Sequence, residues 1–512
     1  MLDYVILGIY AITMIGIALY TKNRSGSVND FLLAGKRGLN GWMTAFAYGT
    51  TYFSAVIFIG YAGQFGRAFG LASVWIGIGN ALIGTLAAWL VLAGRTKNMT
   101  QRLGSKTMPD FFEKRYGDKR LKLYTAVIIF VFLIPYSASV YNGLGSLFEI
   151  VFGIPGWVVT IAMATLTALY LFFGGYFATA LSDFIQGIIM IIGVIIMILC
   201  FMNSEQVSWN ISSIASNPNL AWFTFDADST GLYGSTVSLI SLILLTSIGV
   251  WALPQTVHKY YAIRDKKAIT QGVVVSTAFA LIIGFVAYFS GALSSLFPET
   301  FGLADGDVIP TMLKSAIPTG LTGAIAVLIL SASMSTLSSV SLAGASVIAV
   351  DIYGERLKHG ASPDCDRRVN IAMKLLCLAF VAVSIVLAVL NEKFGIAAIA
   401  YMMGISWGTL AGCFIGPYVL GVLWRRVSRA AVWTSVISSP VITATLIVII
   451  GYDKCGFSAS FGEALKAGVS SSPMIGVICM LFSLAATFLV SLFTKAPKEE
   501  IIHEAFGKSL EG

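Results

Sequence analysis

The chain has 512 residues, of which 57% are hydrophobic and 11% charged, with a formal net charge of +8 and a mean hydropathy of +0.84. A soluble globular domain carries about 25% charged residues, so a soluble enzyme or binding module is excluded and an all-α polytopic membrane protein is expected. The basic residues are scattered over loops instead of forming a patch on a soluble domain, which removes nucleic acid as a partner and leaves the lipid bilayer as the surroundings.

A spanning helix needs about 20 mostly apolar residues. On that measure the apolar runs predict about thirteen spans, over 2–21, 40–66, 70–93, 121–150, 155–173, 178–201, 233–256, 269–297, 318–350, 370–391, 395–423, 430–451 and 472–494. The first run follows Met1 with no basic stretch before it and no small-residue cleavage site after it, so it reads as a retained helix and not a signal peptide.

Span two carries Ala47-Tyr48-Gly49-Thr50-Thr51-Tyr52-Phe53-Ser54-Ala55 near its middle. Gly49 and the β-branched Thr50 and Thr51 weaken a helix locally. A break there exposes backbone carbonyls to a cavity, where irregular backbone is tolerated at membrane depth; the plainer alternative is an unbroken helix with a glycine packing notch. The basic inside segment 94–120 follows span three, and Pro109 to Tyr116 within it reads as a short interfacial helix.

Span six holds Asp183 in an otherwise apolar setting. An intramembrane carboxylate is costly and normally faces a cavity, a partner or an ion path; the alternative is a carboxylate near the cytoplasmic interface, solvated or paired with a loop lysine. Span nine contains Ala332, Ser335, Thr336 and Ser339 at i, i+3, i+4 and i+7, on one helix face, with Ser338 beside them. Hydroxyls and freed carbonyls are hard oxygen ligands for a small cation. The same small residues also let membrane helices pack closely.

Loop charges test the count. With the N-terminus outside, the inside loops hold Lys22, Arg24, Lys36 and Arg37; eight basic residues from Arg95 to Arg120; Lys259, Arg264, Lys266 and Lys267; Arg356, Lys358, Arg367 and Arg368; Arg425, Arg426 and Arg429; and Lys495 and Lys498. The long outside loop Asn203 to Gly234 has no Lys or Arg. Basic residues favour the cytoplasmic side, so the expected topology is N-out, C-in. Cys200, Cys365, Cys377, Cys413, Cys455 and Cys479 show no paired spacing, which indicates neither a disulfide framework nor a zinc site. His258, His359 and His503 map to cytoplasmic loops or the tail, so no catalytic constellation is visible in the bilayer.

Three motifs then resemble the sodium:solute symporter family. The first is Gly174-Gly175 followed by Ala178, Asp183 and Gln186, with Tyr176 where the family usually has Leu or Phe. The second is Ala332-x-Met334-Ser335-Thr336-Leu337-Ser338. The third runs from Gly416-Pro417-Tyr418 through Leu420-Gly421 to Trp424-Arg425-Arg426. The resemblance covers nearly the whole chain. It implies a LeuT-like core of two inverted five-helix repeats, multi-pass in the cell membrane and of bacterial inner-membrane type. The expected division is an extra N-terminal helix and first inside loop over 1–39, one repeat over 40–201, an extracellular loop over 202–232, the second repeat over 233–423, two further spans over 424–494 and a cytoplasmic tail over 495–512.

The resemblance also implies Na⁺ as the coupling ion, with no organic cofactor and no enzymatic activity. By position, its first sodium site would be the carbonyls of Thr50, Phe53 and Ala332 with the hydroxyls of Ser335 and Thr336. A second site, present in some members, would be Asp183 with Ser338 and Ser339, sharing Ser335. Substrate is expected near the midplane beside the span-two break, with pocket candidates Tyr52, Ser54, Trp75, Asn80, Tyr136, Asn142, Thr246, Gly249, Val250 and Trp251.

The family's proline symporters carry an aspartate at the position of Tyr52 and aromatic residues at those of Thr246 and Val250, which argues against proline. Sialic acid symporters hold their substrate's carboxylate with an arginine in span four; no Arg or Lys occurs here between Thr125 and Glu149. A neutral, zwitterionic or monocarboxylate solute fits. A proton-coupled symporter of the same fold is the near alternative. A channel or an intramembrane enzyme is a distant one. The number of sodium ions and the oligomeric state stay open; a monomer suffices for such a cycle.

Overall fold

The computed structural model describes residues 2–35, 39–217, 220, 235–318, 320–357, 364–395 and 398–507. Residues 218, 219 and 221–234 of the expected outside loop, together with Lys36, Arg37, Lys358, His359 and the end of the tail, lie outside the described residues.

Helices dominate the chain. They begin with α1 (Leu2–Thr21), α2 (Val28–Leu33), α3 (Gly41–Tyr52), α4 (Ala62–Phe69), α5 (Val74–Gly79), α6 (Gly94–Leu103) and α7 (Met108–Tyr116). Next come α8 (Lys119–Phe152), α9 (Gly156–Met202), α10 (Ile211–Ser216), α11 (Ser235–Ile248), α12 (Pro254–Tyr261), α13 (Lys266–Ala292) and α14 (Val308–Ala316). The rest are α15 (Thr322–Ser346), α16 (Gly354–Leu357), α17 (Asp364–Phe394), α18 (Ile399–Phe414), α19 (Gly421–Leu423), α20 (Arg429–Cys455), α21 (Phe461–Val469), α22 (Ser472–Phe493) and α23 (Glu499–Phe506).

Among the described residues, eleven helical stretches are long and apolar enough to cross a membrane. Two of them, Val56–Leu103 with 48 residues and Gly156–Met202 with 47, would each reach about 70 Å if straight. A hydrocarbon core is about 30 Å thick, so each must turn back. Gly70 (φ 56°, ψ −139°) ends α4, and Gly175 (φ 56°, ψ −148°) interrupts α9. With those two reversals the stretches account for the thirteen expected crossings, and Gly175 separates spans five and six where the sequence placed the boundary.

The double glycine of the first motif therefore has a steric reason. A Cβ on Gly174 would lie 2.2 Å from the Thr21 hydroxyl, and one on Gly175 would meet Phe31 at 2.8 Å. The φ/ψ of Gly175 is a region that is essentially glycine-only. Gly175→Ala is expected to destabilise the fold by about 1–3 kcal/mol, read as a lowered Tm in detergent; an unchanged Tm would contradict this reading of the turn.

The chain's centre is α15. The apolar window of Thr322–Leu357 is buried throughout, whereas that of α1 is 22% buried. The hydroxyls of α15 thus face protein and not lipid, and α1, α3, α8, α9 and α17 pack around it. Two helices beside it are broken. The first break follows Tyr52: Phe53 leaves the helix at φ −99°, ψ 95°, and Val56 N–H is caught by the Ser54 side chain at 3.2 Å. The second separates α11 from α12 at Leu253 (φ −75°, ψ 127°), where Pro254 starts the new helix; proline lacks an N–H and suits a first helical position. The cytoplasmic ends of the two broken helices meet at a single bridge, Leu39 with Ile263.

Two expectations need correction. Span two does not break at Gly49; a Cβ there would meet Phe279 at 2.6 Å, so Gly49 is a packing notch and the break lies a turn later. Span seven does not end at residue 256. It continues through α12, which carries His258 and Lys259 as buried residues, 7% and 1% exposed. Neither is a loop residue.

Candidate functional site

The break after Tyr52 faces α15. Ser335 Oγ donates to the carbonyl of Thr50 at 3.1 Å and lies 3.2 Å from that of Ala332. Thr336 Oγ1 lies 3.4 Å from the carbonyls of both Thr50 and Thr51. Thr50, Phe53, Ala332, Ser335 and Thr336 are all fully buried. Calcium, close to sodium in radius, takes oxygens at about 2.3–2.6 Å, which spaces neighbouring octahedral ligands by about 3.3–3.7 Å. The separations seen here are only slightly tighter, so the donor set fits a small hard cation once the two hydroxyl protons turn away. At ψ 95° the Phe53 carbonyl has also left the helical direction.

One turn toward the cytoplasm the picture changes. Asp183 is fully buried, and Lys259 from α12 reaches it: Nζ lies 3.5 Å from Asp183 Oδ2. The same ammonium donates to Ser339 Oγ at 2.8 Å and sits 5.0 Å from the centre of the Tyr176 ring. Ser338 bonds within its own helix, to the Ser335 carbonyl at 3.0 Å. Gln186 ties α9 to α1 through the Tyr10 hydroxyl at 3.0 Å. Of the second cluster expected from the sequence, Asp183 and Ser339 meet at Lys259, a residue that the sequence reading left in a loop, whereas Ser338 and Ser335 bond elsewhere.

Of the pocket candidates, Tyr52, Ser54, Asn80, Tyr136 and Thr246 come together in the buried interior. Tyr52 donates to the Thr246 carbonyl at 2.5 Å, and the Thr246 hydroxyl to Asn80 Oδ1 at 2.8 Å. Ser54 and Thr336 flank the Tyr136 hydroxyl. Gly249 and Val250 are buried just before the second break. The remaining three point elsewhere. Trp75 is 37% exposed in an apolar groove with Phe69, Leu82 and Ile243. Asn142 bonds toward α17, donating to the Ala388 carbonyl at 2.9 Å and accepting from Asn391 at 3.1 Å. Trp251 is half-buried, its indole N–H on the Ile83 carbonyl at 3.0 Å.

The sequence reading missed Tyr61, Tyr288 and Trp407. The Trp407 ring lies 5.5 Å from that of Tyr136 and 6.0 Å from that of Tyr52, and Tyr288 stands beside Asn80. In this cluster Asn80 Nδ2, the hydroxyls of Tyr61, Tyr136 and Tyr288, and the indole N–H of Trp407 are buried without a hydrogen-bond partner of normal geometry. Buried polar groups are seldom left so. No motif marks these residues; only the fold brings them together.

The third motif has a structural role. The Tyr116 hydroxyl donates to the Pro417 carbonyl, and a Cβ on Gly421 would fall 2.1 Å from the Tyr116 hydroxyl. Arg115 caps the end of α19 through the carbonyls of Gly421, Trp424 and Arg425. Burial pushes the Tyr116 phenol up to about 12, with Arg115 pulling the other way, so it stays a neutral donor. Both ends of the bundle are pinned as well. Arg67 pairs with Asp305 and donates to the Leu303 carbonyl on the outer side. On the inner side Lys122 lies among Asp110, Glu113, Asp351 and Glu355.

A model of the sodium:solute symporter family matches residues 31–438. The osmoregulated proline transporter OpuE of Bacillus subtilis strain 168 is 28% identical over 501 residues, covering 96% of this chain and 94% of that one. Sodium/proline symporter 2 of Staphylococcus saprophyticus is 26% identical over 517 residues, covering 98% and 94%. Among solved structures, a sodium-coupled sialic acid symporter in a substrate-bound outward-open state superposes with a TM-score of 0.74 at 18% identity, covering 98% of this chain and 99% of that one. Mhp1, a nucleobase-cation-symport-1 family transporter, gives 0.54 at 14%, covering 94% and 99%. These two likenesses speak to the fold, which is LeuT-like.

Proposed function

The chain belongs to the sodium:solute symporter family, and from that membership we propose where the ion and the solute bind. It is a sodium-coupled symporter of a small organic solute, a multi-pass membrane protein and not an enzyme. The coupling sodium binds between the carbonyls of Thr50, Phe53 and Ala332 and the hydroxyls of Ser335 and Thr336. The observation that carries this is the approach of Ser335 Oγ to the Thr50 carbonyl, 3.1 Å across 285 residues of sequence.

Sodium arriving from outside joins the broken helix to α15 and favours the outward-open state. The rocking of one bundle against the other then exposes both ligands inward. The two inverted repeats expected over 40–201 and 233–423 supply the pseudo-symmetry for this motion: each opens on one of the broken helices. Each positive charge carried inward gains about 2.3 kcal/mol per 100 mV of membrane potential.

The solute occupies the cluster of Tyr52, Ser54, Asn80, Tyr136 and Thr246, enlarged by Tyr61, Tyr288 and Trp407. Its unpaired groups are neutral hydrogen-bonding atoms, which suit a neutral, zwitterionic or monocarboxylate solute. The relatives are named for proline, a zwitterion of that class, while Tyr52, Thr246 and Val250 depart from the residues expected of proline symporters.

Uptake into proteoliposomes across amino acids including proline, sugars, monocarboxylates and vitamins tests the reading. Accumulation should require an inward sodium gradient; uptake that persists without sodium and collapses with a protonophore would transfer the reading to proton coupling. For the solute that accumulates, Tyr136→Phe removes one hydrogen bond of about 0.5–1.5 kcal/mol. Its half-saturation should rise about two- to tenfold, and an unchanged value would take Tyr136 out of the pocket.

A further inference from the structure

A lysine occupies the place of a second cation. Lys259, Asp183 and Ser339 come from α12, α9 and α15, and all three are buried. The Lys259 ammonium is 2.8 Å from Ser339 Oγ and 3.5 Å from Asp183 Oδ2, with the Tyr176 ring face 5.0 Å away. That is a carboxylate, a hydroxyl and a π face around one positive charge. An ammonium is a compact point charge, a buried charge needs such partners, and an aromatic face within about 6 Å of a cation attracts it.

The hydroxyls also set a direction. Lys259 donates to Ser339, whose hydroxyl stands 2.9 Å from Thr51 Oγ1. Thr51 in turn donates to the Ala47 carbonyl at 2.6 Å. Each hydroxyl accepts one bond and donates one, so the chain from Lys259 ends on α3 itself. Thr51 is the residue next to Thr50, whose carbonyl receives Ser335.

We propose that Lys259 is a tethered cation which fills the Asp183–Ser339 seat, so that this symporter binds a single sodium ion per cycle. A sodium ion in the same seat would need the same oxygens at about 2.3–2.6 Å. It would then lie within a few ångströms of the ammonium, and like charges at that separation repel strongly in a protein interior. The lysine also holds α12, the cytoplasmic half of a broken helix, to α9 and α15, as the mobile sodium holds α3 to α15. Because its charge is covalently attached, it takes no part in the charge transferred. The inference rests on reading the chain as a sodium-coupled carrier, but not on which residues hold the mobile ion.

Equilibrium binding of ²²Na⁺ to the purified full chain in detergent tests it without knowledge of the solute. The wild type should bind one ion per chain. Lys259→Met vacates the seat and leaves its oxygens, and should bind two. Lys259→Met combined with Asp183→Asn removes both charges and should return to one. Two ions on the wild type, a folded Lys259→Met still at one, or the double variant at two would each overturn the proposal. Where Lys259→Met alone does not fold, the wild type and the double variant decide. No ion on the wild type with one gained in Lys259→Met would overturn the single-ion count and sink the first-site assignment while leaving Lys259 as the occupant of its seat, so the two failures are told apart.

Discussion

Ser335→Ala and Thr336→Ala should each raise the sodium concentration for half-saturation about ten- to a hundredfold. Each removes one oxygen that meets the carbonyl of Thr50 across the break. A bond to a charged partner contributes about 1.5–3 kcal/mol, and each 1.4 kcal/mol is tenfold in affinity. The folded state need not suffer, because each hydroxyl shares its bonds with backbone carbonyls and alanine leaves only a small gap. The measurement is the dependence of Tm on sodium concentration, since a ligand that binds only the folded state raises Tm as its concentration passes its Kd. Potassium serves as the ionic-strength control. Midpoints that coincide with the wild type would remove both residues from the ion site.

The second large effect falls on stability. Lys259→Ala leaves Asp183 charged, buried and without its ion-pair partner. Breaking a buried pair in this way costs about 3–5 kcal/mol, enough to consume much of a typical folding free energy of about 5–15 kcal/mol. The variant should show a steep loss of folded yield and of Tm. Lys259→Met combined with Asp183→Asn discharges both members and should recover most of the loss. Failure of that pair to recover stability would mean that the loss does not come from leaving the Asp183 charge unanswered.

The parts of this molecule that were legible in the sequence are those with a local physical signature. Apolar runs of bilayer length mark the crossings, because water is absent from the membrane and the backbone must satisfy itself within each helix. The hydroxyl face of α15 was visible from the spacing of Ala332, Ser335, Thr336 and Ser339 alone, since that spacing fixes a face whatever packs on it. What it would meet, the Thr50 carbonyl 285 residues away, came only from family resemblance.

Lys259 was misread for an instructive reason. The rule that basic residues mark cytoplasmic loops was applied to a lysine that stands only six residues after the Leu253 break, so it was placed in a loop; pairing of Asp183 with a loop lysine was the alternative reading, but Lys259 was not singled out for it. Pro254 was the available signal: a proline inside an apolar run begins a helix more readily than it sits within one. Read that way, α12 extends the span to Tyr261 and carries Lys259 into the protein interior, where a carboxylate must answer it. Asp183 was already in view.

The pocket shows the opposite limit. Trp75, Asn142 and Trp251 were reasonable by residue type, but type does not fix orientation. Tyr61, Tyr288 and Trp407 have no motif around them; they come from the segment Val56–Tyr61 before α4, from α13 and from α18, and only the fold brings them together. Similarly, the Gly416 to Arg426 motif entered only through family resemblance, with no role read for it. Its glycine at 421 is set by the Tyr116 hydroxyl, and its last carbonyls by Arg115, so it docks an interfacial helix.

Everything in the coupling turns on whether the oxygens of the broken helix and of α15 hold one ion together. Equilibrium ²²Na⁺ binding to a purified variant carrying both Ser335→Ala and Thr336→Ala, set beside the wild type at matched Tm, answers this most directly. The predicted result is loss of high-affinity sodium from a chain that remains folded. A folded double variant that retains the wild-type affinity would contradict it, and the ion would have to be sought elsewhere in the bundle.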